Sequence, residues 1–225
     1  MNRRTFLTST LAIASQFSVI FLAILHGQVP GPNLAKLAEG KGWTVSNRTV
    51  SVIDGGAVKG VRFDERLVVG IAWMEDYEFA NGVIEFDVRG KNVPQHSFVG
   101  VAFHAVDGET YDAVYFRPFN FKSEDPERKG HAVQYISQPA FTWQKLRSEH
   151  PGAYEQPVQP PPDPDAWFHV RIVVNSPKVS AFVNNAKQPS LLVEQLNARK
   201  KGRIGIWVGE GSGGDFANLR IIPAS

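Results

Sequence analysis

The sequence predicts an all-β protein, an antiparallel sandwich or barrel, on three observations. Apolar and polar residues alternate with a period of two from Trp43 onward, turn signals recur at short intervals, and no stretch sustains a 3.6-residue apolar period. The 225 residues include 15 Phe, 5 Trp, 20 Gly and 15 Pro, a composition suited to strands and tight turns. A chain of this length holds one domain and buries enough surface to fold without a covalent staple. With no Cys, disulfide scaffolds, thiolate metal sites and cysteine nucleophiles are excluded.

The first 28 residues read as targeting rather than fold. Arg3-Arg4 is a basic start, and Phe6 to Leu25 runs without a charge. Arg3-Arg4-Thr5-Phe6-Leu7 is similar to a twin-arginine export signal, and the run is also long enough for a membrane anchor. Either reading places the domain outside the cytoplasm, periplasmic or secreted, with no membrane contact except through that anchor. Residues 29–42 are expected to be a linker and 43–225 the folded domain. Apart from Arg3 and Arg4 the 24 basic and 22 acidic residues balance, which argues against nucleic acid as a partner.

Strands are expected over Val58–Asp64, Leu67–Met74, Val83–Arg89, Phe98–Val106, Ala113–Phe119 and His131–Ser137. Four more are expected over Phe168–Asn175, Lys178–Asn184, Arg203–Val208 and Phe216–Ile222. Asp54-Gly55-Gly56, Asn81-Gly82, Asp107-Gly108, Asn175-Ser176-Pro177 and Gly211–Gly214 punctuate them, and the Asn-Ser-Pro turn predicts a hairpin pairing Val170–Val174 with Val179–Val183. Asn33–Glu39 and Trp143–His150 are short helical candidates. The connection from Phe141 to Trp167 departs from the pattern. It carries Trp143, Glu149, His150, Tyr154 and Glu155 and then a proline-rich run to Pro164. A connection this long is either functional or a stiff cover over a sheet edge.

Alternation assigns faces. Val99, Val101, Phe103, Val114, Phe116, Ile84, Phe86, Val88, Ile204, Ile206, Val208, Val133 and Tyr135 go to the core. That leaves Gly100, Ala102, His104, Ala113, Tyr115, Arg117, Glu85, Asp87, Arg89, Gly205, Trp207 and Gln134 on an outer face. Small residues let a ligand approach the backbone, aromatic rings stack on the C–H face of a sugar, and planar polar groups read its hydroxyls. The set therefore points to a carbohydrate groove, with Asp87, Tyr115, Gln134, Trp143 and Trp207 as ligand contacts.

The segments FANGVIEFDVRG from Phe79, FVGVAFHAVDGETYDAVYFRPFNF, HAVQYI, WFHVRIVV, VSAFVNN, GRIGIWVG and FANLRI carry a resemblance over about Trp43 to Ile222. They resemble concanavalin A-like lectin/glucanase jelly rolls, specifically laminin G-like domains and the bacterial 3-keto-disaccharide hydrolases. The resemblance implies two jelly-roll sheets, a ligand on the concave one, and exported proteins acting on glycans. It also implies a substrate with a ketone at C3, which acidifies the C2 proton so that a modest base drives elimination at C1, followed by addition of water. On that reading His104 is the base, Arg117 stabilises the enolate oxygen, and Glu85 or Asp87 orients the histidine or serves the leaving group. The paired acids of an E-x-D-x-x-E glucanase are missing, since only Glu85 and Asp87 keep the spacing. No cofactor is required. A structural calcium is compatible with such jelly rolls, and Asp54 and Asp215 are the loop carboxylates in question. Whether the domain is an enzyme or a non-catalytic glycan-binding module stays open at this level.

Overall fold

The computed structural model describes residues 32–54 and 56–224; the expected export segment lies outside them. Two seven-stranded antiparallel sheets pack face to face. In chain order the strands are β1 (Trp43–Ser46), β2 (Val50–Ile53), β3 (Gly60–Arg66), β4 (Gly70–Met74), β5 (Gly82–Arg89), β6 (Val99–Ala105) and β7 (Asp112–Phe116). They continue with β8 (Val133–Ser137), β9 (Glu155–Gln156), β10 (Phe168–Asn175), β11 (Lys178–Val183), β12 (Leu191–Glu194), β13 (Arg203–Val208) and β14 (Ser212–Pro223). The first sheet runs β1-β4-β13-β6-β7-β8-β9 and the second β12-β11-β10-β5-β14-β3-β2. This is the expected β-sandwich, a jelly roll, and the expected β10–β11 hairpin pairs Val170 with Val183 and Val174 with Val179.

The core lies between the sheets. Every residue assigned inward by alternation is buried there, including Phe86, Phe103, Val114, Phe116, Tyr135 and Ile206. Burial of this interdigitated apolar surface, at about 25 cal/mol per Å², is the main force holding the sheets together. Three short helices are α1 (Leu34–Ala38), α2 (Pro126–Gly130) and α3 (Trp143–Glu149). Asn33 caps α1 by accepting from the Ala35 N–H, and Leu34 and Leu37 are buried in the core. The expected linker over 29–42 is therefore corrected: from Asn33 onward the chain belongs to the folded unit, because an amphipathic turn there closes the core. Among the described residues no helix is long and apolar enough to cross a membrane.

Candidate functional site

The outer face of the first sheet is apolar at its middle and charged at one end. Strand pairing lines up a transverse row across six strands: Ile71, Trp207, Gly100, Tyr115, Gln134 and Glu155. Gly100 lies between the two aromatics, and the rings of Tyr115 and Trp207 meet above it, 4.8 Å apart at 32°. A Cβ on Gly100 would sit 2.8 Å from the Tyr115 Cβ. The next row is Trp73, Gly205, Ala102, Ala113 and Ile136. Its small residues make room for the rings, and Trp207 Nε1 donates to the Tyr111 hydroxyl at 3.2 Å. The small residues are thus covered by an aromatic layer, and the layer, not the backbone, floors the site. Above it lies a cavity of about 840 Å³ lined by Phe98, Tyr111, Tyr115, Phe119 and Trp207, with Trp143 on α3 as a rim. A space of this size suits a drug-sized or disaccharide-sized ligand.

At the β8–β9 end the floor becomes ionic. Glu155 is 3% exposed. Arg147 from α3 holds it through two bonds, Nε to Oε1 at 2.8 Å and Nη2 to Oε2 at 2.7 Å. Arg117 lies 3.5 Å away and His131 Nε2 3.2 Å away. Arg117 also donates to the Tyr115 hydroxyl at 2.7 Å, to the His131 carbonyl at 2.8 Å, and to Gln134 Oε1. The same Gln134 oxygen accepts from Tyr115 at 2.8 Å. Buried charges persist only with partners, and here one carboxylate is shared by two guanidiniums. Burial lowers the His131 pKa, and the charges of Arg147 and Arg117 add to this against the pull of Glu155. Burial likewise pushes the Tyr115 phenol up. Two buried polar atoms at this end have no partner: Gln134 Nε2 and Oδ1 of Asn120, which lines the cavity. Unpaired buried groups call for explanation, and a hydroxyl-bearing ligand would satisfy the Asn120 oxygen.

The structure places Tyr115, Arg117, Trp143 and Trp207 on one groove, with Gln134 fully buried beneath Tyr115 and Arg117, and separates the others. His104 does not face it. β13 steps two residues, Arg203 to Gly205, where β6 steps three, Ala105 to Ala102, so β6 carries one extra residue. His104 takes φ +52° at this bulge and turns inward. There its Nε2 donates to the Ala80 carbonyl at 2.6 Å, its Nδ1 accepts from Gln195 Nε2 at 3.0 Å, and its ring stacks on Phe79. Both ring nitrogens are spent and the side chain is fully buried, so no ligand reaches it. Glu85 and Asp87 lie on β5, in the other sheet. Their outward side chains bond to groups on that face, Asp87 to His169 at 2.7 Å and to Asn218 at 2.6 Å, with Glu85 3.5 Å from Arg220. Arg89 and Asp215 pair there too, and Asp215 also holds Arg62, which leaves it unfit for calcium. Among the described residues no group of three or more metal-ligating side chains occurs.

Sequence reasoning missed His131, Arg147 and the role of Glu155. Glu155 and α3 stand in the long connection singled out as unusual, whose first half forms the groove wall. Its proline run does not line the groove, and Val158 from it enters the core. The segment is thus both wall and cover.

A family model for the 3-keto-alpha-glucoside-1,2-lyase-like domain matches residues 33–222. No curated protein matches the chain. Among solved structures the fold is similar to the carbohydrate-binding module CBM66 from Bacillus subtilis, with a TM-score of 0.57 at 12% identity over 80% of this chain and 95% of that one. It is also similar to the lumenal domain of VIP36 solved with Ca2+ and Man3GlcNAc, with a TM-score of 0.53 at 12% identity over 83% and 85%. A galectin-like protein of unknown function from Bacillus subtilis gives 0.51 at 13% identity over 81% and 90%. At these identities the structures speak to fold alone, whereas the family match spans nearly the whole described chain. The chain belongs to the family of 3-keto-alpha-glucoside-1,2-lyase-like domains.

Proposed function

We propose that the groove binds a glycoside already oxidised at C3 and eliminates its C1 substituent, with His131 as the base. The observation that carries this reading is His131 at the groove wall, 19% exposed, with Nε2 3.2 Å from the buried Glu155 carboxylate. A carboxylate facing Nε2 favours the proton there and leaves Nδ1 as the basic nitrogen. The lowered pKa keeps the ring neutral near pH 7, as a base must be.

In the reaction, Nδ1 takes the C2 proton and its electron pair moves into the C2–C3 bond, placing negative charge on the C3 oxygen. Arg117, planar and permanently charged, is the group suited to hold that oxygen. The enolate then collapses: C3=O re-forms, a C1–C2 double bond forms, and the C1–O bond breaks toward the leaving oxygen. That oxygen picks up a proton. Addition of water across C1–C2 would give the free keto sugar. No oxidant enters, because the ketone is supplied with the substrate.

His131→Ala tests the assignment. Turnover of a 3-keto disaccharide should fall by about 10²–10⁴-fold, the range for loss of a general base, while its Kd changes by less than about threefold. Undiminished turnover would sink the reading. In a non-catalytic module no substrate would be consumed by the parent protein at all. We also place the domain outside the cytoplasm, on the Arg3-Arg4 start and the uncharged run after it. Recovery of the full-length chain from the cytosolic fraction would contradict that.

A further inference from the structure

The geometry points to a glycoside whose leaving group is an apolar or aromatic aglycone, seated in a second lobe of the same groove. This rests on the groove being the sugar site, as proposed above, but not on which residue is the base. Beyond Tyr111 the cavity continues into a lobe of about 400 Å³, and the two share Val69, Tyr111 and Gln138. Ile71 and Trp73 on β4 and Val68 and Pro139 from flanking loops supply its apolar walls, and Ser46, Asn47, Gly108 and Glu109 line the rest.

The two ends differ in chemistry. The ionic cluster stands on β7, β8, β9 and the adjoining α3, whereas the second lobe stands over β4. With strands spaced about 4.8 Å apart, the five steps from β9 to β4 span roughly 24 Å. A sugar held at Arg117 and His131 therefore leaves room for its substituent to extend toward Trp73. A second sugar there would need several hydrogen-bonding partners for its hydroxyls. Two of the polar groups at hand are already used: Asn47 Nδ2 donates to the Val69 carbonyl at 3.0 Å, and the Tyr111 hydroxyl accepts from Trp207. Beside the polar side chains of Ser46, Glu109 and Gln138, apolar surface is left open. Leu67 and Val68, at the β3–β4 turn beside the junction, are 80% and 52% exposed. Leu67 lines the larger lobe and Val68 the smaller one. An aromatic aglycone would cover both and remove their apolar surface from water.

Titration calorimetry with a 4-nitrophenyl glucoside and with a glucosyl-glucose disaccharide of the same anomeric configuration tests this. The parent protein should bind the aryl glucoside at least tenfold more tightly. Val68→Asp and Leu67→Asp, both at exposed positions, should each reduce that preference several-fold, and Val68→Asp, outside the larger lobe, should leave disaccharide affinity within twofold. Equal affinities in the parent, or a preference that both variants retain, would overturn the inference. Loss of turnover in His131→Ala bears only on the base. Failure of the parent to bind either glycoside would overturn the sugar site and this inference together, whereas tight binding of the disaccharide alone would overturn the inference only.

Discussion

Glu155 shows how a single residue organises the site. It is a carboxylate at 3% exposure, held by a bidentate Arg147 and flanked by Arg117 and His131. Its partners come from the residue just after β7, from the loop before β8 and from α3, so the pairing also docks α3 onto the sheet. The Arg147 guanidinium lies 4.9 Å from the Trp143 ring, so one side chain links the ionic floor to the aromatic rim. Arg147→Met should destabilise the domain by about 1–3 kcal/mol, less than the 3–5 of a fully buried broken pair because Arg117 still faces the carboxylate. Glu155→Gln should cost more, since it leaves two guanidiniums without their counter-charge. The double variant should lose less than the two single changes added together, a coupling read by chemical denaturation in a double-mutant cycle. Strict additivity would show that the ion pair contributes nothing. None of these contacts was legible in the sequence, because they join three loops whose approach is set by the fold and not by spacing.

At the scale of elements, the ten strands expected from alternation all occur, and their inward residues were assigned correctly. That signal is local and strong, since a half-buried strand repeats every two residues. The short edge strands β1, β2, β9 and β12 were missed because two to four residues carry too little pattern. The bulge in β6 was invisible for a related reason: one inserted residue is no compositional event, yet it turns His104 from the outer face to the inner one. There His104 joins a buried polar network. Asp112 accepts from Asn197 at 2.6 Å, from Arg199 at 2.8 Å and from Gln195 at 3.1 Å, which ties the connection between β12 and β13 to the start of β7. His104→Ala would strand the Ala80 carbonyl and one N–H of the Gln195 amide and leave a cavity. A loss of about 3–5 kcal/mol is expected, with a fall in Tm of about 10 °C. Affinity for sugar in the groove should not change. A variant that melts like the parent but no longer turns over substrate would restore His104 to the catalytic role.

For the whole molecule, alternation says which residues face out but not which of two outer faces they share. Glu85 and Asp87 were therefore grouped with Tyr115 although a full sandwich lies between them. The same architecture sets how stability depends on pH. Burial raises the Asp112 and Asp215 carboxyls, but hydrogen bonds from Ser137 and Gln195 and the charge of Arg199 for the first, and Arg62 and Arg89 for the second, outweigh it and hold both below 3.8. The unfolded chain then binds more protons than the native one as pH falls past 3.8, so the stability these groups contribute is present above that value and lost below it. His131 acts in the same direction one step higher. Its native pKa lies below 6.5, so acidification through that region also favours the unfolded chain. At the alkaline end all five tyrosines are raised above 10, chiefly by burial. Above pH 10 the unfolded chain releases those protons first and stability falls again. Thermal melts should therefore show a plateau from about pH 6.5 to 10, a shallow decline just below it, and a steep one below about pH 4. His131→Gln cannot titrate and should extend the plateau downward while leaving the steep acid limb in place. If the shallow step persists in that variant, the group responsible is not His131 and the native ring is not held neutral by the floor of the groove.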